Sequence, residues 1–554
     1  MRRLSLFLAV AVLIGAAPVA AQSRILPRGV VNAASFARPG LPNGAIARGS
    51  IFSIFGTRLG PENPAQANSF PLPDSLAGVS IEVIQGDTTV AAIPLFAIAS
   101  QINAIMPSDA PLGPASIRVT SGVLRSNFAP IEIVDTNLGI FTATGLGIGP
   151  GILQNFVSQS IQPINSLAGP ANPGQFVTLW ATGLGPVEFP DNEAPVAGNL
   201  PVDVEIWVGG APVPAEDMAY FGRTPCCAGV DQFVFPIPAT APLGCYVPVH
   251  ARTGGELLSN TVTIAISEGD GPCEDRFAEL QSPGVFGTLF LVRATFEQTI
   301  DVPAPFEATA DLAAASFRGE TGGGFFFNPT TSLPPEGTCT VYSGSGDVFG
   351  GAVLPNSAST TGVLADAGTM IRLQGPGGVR RLPVMPIDPL NYLAGLGGAF
   401  PGGAGRRYFA EGQYTITGSG GADVAAFETG VDFPGAIDWT NRDAVDVIDR
   451  RSDLELTWAA LGPGSQVAIL VGNHDAPTDS LGVVACVSAG ATGAFDVPAR
   501  VLSSLPASRN GAHQSQGGVL LWQLEPSPAK FDSQGLDQGW AISINAAGKS
   551  AVFE

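Results

Sequence analysis

The sequence predicts an all-β protein: tandem immunoglobulin-like β-sandwiches followed by a β-rich C-terminal region. Three features lead there. Apolar residues recur with a period of two, glycine and proline fall between those runs, and an ordered set of turn and core motifs occurs twice. The alternation is plainest at Val79, Ile81 and Val83, separated by Ser80 and Glu82, and returns at 117–120, 202–206 and 454–458. One apolar and one wet face is what a strand of a two-sheet sandwich needs, whereas a helical stripe needs spacings of three and four. The 70 glycines and 48 prolines follow neither a collagen period nor a low-complexity tract. They sit where short strands must turn, glycine supplying positive φ and proline blocking interior ladder bonds.

Residues 1–21 read as a signal peptide. Arg2 and Arg3 precede an apolar run at 6–17, then Pro18 and the small residues Val19-Ala20-Ala21 that suit a cleavage site. That run is shorter than the roughly 20 residues of a spanning helix. The chain is therefore expected to be exported, whether extracellular, cell-surface or periplasmic, with no transmembrane segment. Residues 28–139 and 140–267 are expected to be two sandwich modules, because their landmarks recur in order. GSIFSIFGTRLGP at 49–61 returns as GQFVTLWATGLGP at 174–186; Ala110-Pro111-Leu112-Gly113 returns as Ala241-Pro242-Leu243-Gly244; Ser126-Asn127 returns as Ser259-Asn260. Gln101 and Gln232 each precede an apolar strand. The shared residues are turn glycines and core side chains, so a fold unit is duplicated rather than a reactive site.

After a junction around Cys273, Pro283 and Gly284, residues 283–400 form a third β-rich region and 401–554 a sandwich-like C-terminal region; the two also read as one domain. The glycine-rich stretches 322–324 and 395–405 mark turns or a boundary. Later strands are expected at 414–417, 454–458, 467–471, 483–487, 519–524 and 541–544. Segment 306–317, which contains ATADLAAA, reads equally as a short helix or a strand.

The 554 residues carry 26 Lys plus Arg against 47 Asp plus Glu, a formal charge of -21. Such a field opposes nucleic acid and anionic lipid as partners. Charged residues make up only 13% and hydrophobic residues 45%, which excludes a disordered acidic polyelectrolyte.

The motifs Gly29-Val30-Val31-Asn32-Ala33-Ala34-Ser35-Phe36, 49–61, Leu76-Ala77-Gly78-Val79 and Gln101-Ile102-Asn103 form a pattern. With Gly229-Val230-Asp231-Gln232 and Ser259-Asn260 in the second copy, it resembles the duplicated immunoglobulin-like modules of large secreted proteins from Solibacter-type acidobacteria. The resemblance covers about residues 28–267. It implies a sandwich related to IPT/TIG modules and export, and it implies no particular reaction or catalytic residue.

Six cysteines, Cys226, Cys227, Cys245, Cys273, Cys339 and Cys486, make an even count that favours disulfides in an exported chain. Adjacent cysteines seldom bridge each other, so Cys226 and Cys227 are expected to pair separately with Cys245 and Cys273, leaving Cys339 for Cys486. The alternative, a metal site of Cys226, Cys227, Cys245 and His250, departs from the spacing of zinc knuckles. Of the histidines His250, His474 and His513, His474 is the catalytic candidate: with Asp475 and Asp479 it could form a strand-end general base, or equally an ordinary polar turn. No cofactor is expected, and Asp443, Asp446 and Asp449 are the calcium candidates, with a salt-bridged surface as the alternative. Trp207, on the polar side of its strand, and Trp439, in a loop, are the ring candidates for stacking on a sugar or anchoring a protein. The expectation is a secreted or cell-surface structural or binding protein for protein or polysaccharide; the alternative is an extracellular hydrolase with its site in the C-terminal region.

Overall fold

A computed structural model describes residues 22–255, 257–269, 271–281, 283–300, 302–320, 327–328, 331–346, 363–385, 388–398, 406–508, 515–524 and 528–554. The signal-peptide segment, residues 322–324, residues 399–405 and His513 lie outside the described residues. The chain is all-β, a succession of immunoglobulin-like sandwiches leading into a large β unit.

In the first module one sheet runs Arg24–Asn32, Ile51–Thr57, Gln101–Ile105, Thr88–Ile98, Val79–Gln85, Gly113–Ser121, Ala129–Val134 and Ile46–Ala47. The long strand Thr88–Ile98 serves both faces of the sandwich. Its register shifts between Pro94 and Phe96, and the sheet bends there to wrap around Phe52, Ile54, Ile81, Val83, Ile117 and Val119. The second module separates into two sheets. Phe176–Thr182, Asp231–Pro236 and Tyr220–Arg223 face Val204–Val208, Gly244–Thr253 and Val262–Ile266. Val177, Leu179, Phe233 and Phe235 meet Ile206, Val208, Val249 and Ile264 in its core. These inward residues are the apolar partners in the alternation, and their neighbours face out.

The C-terminal unit is built on one 14-stranded sheet. Gly284–Gln298 pairs antiparallel along its length with Phe306–Glu320 and parallel with Gln538–Ser550, so the last long strand returns beside the first. Two cores share this sheet. One gathers Leu291, Phe317, Tyr392, Tyr414 and Phe433; the other gathers Trp439, Trp458, Ile469, Val484 and Leu521. Strands on either side of residue 400 alternate within it, as where Thr338–Gly344 pairs with Ser480–Ala489.

Segment 306–317 is strand. Pairing along both edges, with Gly284–Gln298 and Asp388–Gly398, outweighs the helical preference of its alanines. Thr309, Asp311, Ala313, Ala315 and Phe317 point inward at every second position. The buried Asp311 carboxylate takes both Arg293 Nε and Nη2 at 2.7 Å and accepts the Phe409 amide at 3.1 Å.

One expectation about covalent links is corrected. Cys226 bridges Cys227, Cys245 bridges Cys273, and Cys339 bridges Cys486. Cys245 lies buried in Gly244–Thr253 and faces Cys273 on the exit segment, whereas Cys226 and Cys227 sit together on an exposed turn and have only each other within reach. Cys339 and Cys486 are direct cross-strand partners.

Candidate binding face

The duplication allows the two modules to be superimposed residue by residue. Phe55 pairs with Gln101 in the first module, and Trp180 pairs with Gln232 in the second. Alternation from these anchors puts Ile51, Ser53 and Phe55 on the outer face of module one, and Phe176, Thr178 and Trp180 on the same face of module two.

The two faces have different fates. Ile51 is 9% exposed because Ala228 and Val230 of module two pack over it with Leu72, Ile93 and Ile105. Phe176, at the equivalent position, is 41% exposed. Around it the same face carries Phe156, whose amide donates to the Phe176 carbonyl at 2.9 Å, and Ile164, bridged to Gln154. Trp180 Nε1 donates to Gln154 Oε1 at 2.8 Å, and Gln154 Nε2 donates to the Gln162 carbonyl at 3.1 Å. The indole is thus fixed through a two-step relay, with its ring half-buried. Tyr220 lies across from Val234, which itself pairs with Thr178, so it extends the face by one strand. Phe156, Phe176, Trp180, Tyr220, Gln154 and Gln232 contain no charged group, in a chain whose net charge is -21.

Residues expected from the sequence as site residues are placed elsewhere. Trp207 does lie on the outer side of Val204–Val208, but its ring is stacked on His250 at 5.6 Å and lies beneath the Arg252 guanidinium at 5.0 Å. His250 is 1% exposed, and burial, with Arg500 and Arg252 adding to it, pushes its imidazole down to about 3. Trp207 itself is half-buried, and Arg500 of the C-terminal unit is among the charges acting on its stacked partner. Trp439 is corrected from a loop ring to a core ring: it is 6% exposed, its Nε1 donates to Asn441 Oδ1 at 2.8 Å, and it packs with Trp458 and Val445.

The strand end brings His474 against Asp479. His474 Nε2 lies 3.3 Å from Asp479 Oδ1, while the buried Asp475 carboxylate accepts the Thr478 hydroxyl. Asp479 is also bound by Arg38 at 3.2 Å, and Arg28 Nη2 donates to the Pro477 carbonyl at 2.6 Å. The Gly346 amide, ahead of the His474 and Arg38 contributions, holds the Asp479 carboxyl below its ordinary range. These residues therefore latch the C-terminal unit to module one. Asp446 pairs with Lys549 at 3.0 Å, Asp449 with Arg451 at 3.1 Å, and Asp443 lies within the separate short 3-10 turn Arg442–Ala444. Among the described residues no three His, Cys, Asp or Glu side chains gather as a metal ion would require. The proposed Cys226, Cys227, Cys245 and His250 ligand set is dispersed by the disulfides.

Sequence reasoning missed Trp180 and Phe176 as surface residues, although both stand in the repeat. Alternation marks the outer side; only the absence of a covering neighbour distinguishes Phe176 from Ile51.

Fold and face together define a multi-module β-sandwich protein with an uncharged aromatic platform. No family model matches the chain, and no curated protein matches it. Among solved structures it is similar to the Bacteroides ovatus mixed-linkage glucan utilization locus protein SGBP-B in complex with a mixed-linkage heptasaccharide, at 10% identity, 63% of this chain, 70% of that chain and a TM-score of 0.20. It is also similar to the FN1–FN3 domains of chicken CNTN1, at 8% identity, 66% of this chain, 99% of that chain and a TM-score of 0.15. Immunoglobulin domains 1–5 of Sidekick-1 match at 10% identity, 92% of this chain, 98% of that chain and a TM-score of 0.12. Likenesses at these scores carry no functional argument. Among the described residues no helix is long and apolar enough to cross a membrane.

Proposed function

We propose that the chain is an exported binding protein that holds a neutral polysaccharide on the open outer face of module two. The observation that carries this reading is the Trp180 platform. A fixed indole beside Phe176, Phe156 and Tyr220 offers apolar ring surface to the faces of sugars, and Gln154 and Gln232 place amides at its margin. Neutral amides and rings suit a hydroxylated, uncharged ligand better than an ionic one. Export is supported by three disulfides joining all six cysteines, a pattern kept in oxidising compartments. A relation to the IPT/TIG-like modules of Solibacter-type secreted proteins rests on the ordered repeat motifs alone.

Affinity electrophoresis of the purified chain against neutral and acidic polysaccharides tests the reading. Retardation by at least one neutral polymer is expected, with Trp180→Ala weakening it by about tenfold or more and Trp207→Ala leaving it unchanged. Binding that survives Trp180→Ala, or a ligand confined to acidic polymers or proteins, sinks it.

A further inference from the structure

The hairpin turn between Tyr220–Arg223 and Asp231–Pro236 is where module two grips module one. Ala228 and Val230 fill an apolar patch with Ile51 and Ile105. Gly229 adopts a positive φ of 74° there, and a Cβ on it would meet Ile51 Cγ1 at 2.7 Å. The Gly229 carbonyl accepts the Thr182 hydroxyl at 2.6 Å, and that hydroxyl accepts the Ile51 amide at 2.8 Å. The other half of the turn carries Cys226 and Cys227, both exposed. Thr224 N–H donates to the Val230 carbonyl at 3.1 Å, and Val230 N–H donates to the Cys227 carbonyl at 3.2 Å, so the disulfide and the plug belong to one closed turn.

The three disulfides are unlike one another. Cys245–Cys273 and Cys339–Cys486 link residues 28 and 147 apart and lie in apolar clusters. Each removes freedom from the unfolded chain. A bridge between neighbours closes almost no loop, so that stabilisation is lost. Both of its cysteines are exposed, whereas Cys245, Cys339 and Cys486 of the other two bridges are buried. Access to external thiols with little contribution to stability is the character of exchangeable disulfides rather than structural ones.

We propose that Cys226–Cys227 is a thiol–disulfide exchange site, reduced by an external dithiol, whose state sets the grip of the turn on module one. A thiolate of the dithiol attacks Cys227 Sγ, the bond between the two cysteine sulfurs breaks, and Cys226 Sγ departs as a thiolate. Thr224 Oγ1, 3.4 Å from Cys226 Sγ, donates its hydroxyl hydrogen to that thiolate. The second thiol of the reductant then attacks the reductant's own sulfur in the mixed disulfide and releases Cys227. The dithiol ends as a disulfide, having passed two electrons and two protons to the pair, and both cysteines end as thiols. Opening the small ring returns rotation to the turn and frees residues 228–230 to leave the patch.

The test treats the folded full chain with limiting dithiothreitol, traps thiols with N-ethylmaleimide, and maps peptides alongside amide hydrogen exchange. Cys226 and Cys227 should be alkylated while the other two bridges stay intact, and exchange at Ile51 and Gly229 should accelerate by about tenfold. A Cys226→Ala/Cys227→Ala double variant should show the faster exchange without reductant, and Thr224→Val should slow the reduction severalfold. Cys226 and Cys227 that resist alkylation until the buried bridges open would overturn the proposal. So would alkylation, or the double variant, leaving protection at Ile51 unchanged.

Discussion

The two amino-terminal modules share a frame and differ in what each face is used for. In module one the Val119 amide donates to Ser126 Oγ at 2.9 Å, and the Asn127 side chain accepts the Ile25 amide at 2.8 Å. In module two the Ala251 amide donates to Ser259 Oγ at 3.0 Å, and Asn260 accepts the Ile140 amide at 2.7 Å. The repeated Ser-Asn pair thus ties each module's first strand to its sandwich. Leu112 and Leu243 of the repeated turn are likewise both exposed. Matching Val119 with Ala251 makes Arg118 the counterpart of His250 and Glu82 the counterpart of Trp207. The first pair is a part-exposed ion pair at 2.7 Å; the second stacks a half-buried indole on a buried imidazole. On the first sheet Ile51 of module one is covered where Phe176 of module two is open, and on the second sheet a part-exposed Arg118 stands where module two buries His250. Duplication preserved the hydrogen bonds that close each sandwich, while the neighbours reassigned the surfaces.

The sharpest way to break this comparison is at the residue before the shared glutamine, Ser100 in module one and Asp231 in module two. Asp231 and Arg223 form a pair 3.1 Å apart with 0% and 2% of their side chains exposed. Burial pushes the Asp231 carboxyl up, and Arg223 with the Leu184 amide opposes that shift. Arg223→Met leaves the carboxylate buried without its cation and should cost about 3–5 kcal/mol in urea unfolding. Ser100→Ala should cost under about 1 kcal/mol. Similar losses at both sites would mean that the ion pair does not set module two apart.

Asn127→Ala and Asn260→Ala sharpen the shared half of the comparison. Each leaves a strand amide, of Ile25 or Ile140, without its side-chain acceptor, and each should cost about 1–3 kcal/mol. Asn260 also donates to the Ile140 and Gly147 carbonyls, at 3.0 and 2.8 Å, so its loss should be the larger of the two; a larger loss at Asn127 would show that these added bonds do not strengthen the module-two tether.

A pH-dependent effect concerns the Trp207–His250 pair. The folded His250 imidazole titrates near 3, whereas an unfolded histidine titrates near about 6.5. Below that unfolded value the unfolded chain binds the extra proton, so the contribution of His250 to stability is complete above about pH 6.5 and declines as pH falls toward the folded value. The slope from this group is at most about 1.4 kcal/mol per pH unit. His250→Phe, which keeps a ring against Trp207, should flatten unfolding free energy against pH between those limits, and Arg118→Gln in module one should not. An unaltered profile in His250→Phe would remove His250 from the acid response.

Much of the architecture was legible because it is local. Alternation at Val79–Gln85 or Val204–Val208 states which side chains face in, and the recurring glycines and Ser-Asn pairs state that a unit was copied. The candidate site was far less legible. Trp207 and Trp180 both stand on outer faces by alternation and both are half-buried, and nothing in their own segments says that one stacks on His250 beneath Arg252 while the other is held by Gln154 beside the exposed Phe176. Trp439 looked like a loop ring because its burial comes from Trp458 and Val445 rather than from a strand period.

By itself, then, the sequence determined the strands, their inward sides, the duplication and the presence of enough cysteines for full pairing. Tertiary structure decided the vicinal bridge, the strand at 306–317, the two cores sharing one C-terminal sheet, and the face left open on module two. The physical reason is range. Pleat and turn chemistry act over a few residues and are written in each segment, whereas coverage, pairing partners and edge-to-edge registry depend on segments far away in the chain that meet only after folding.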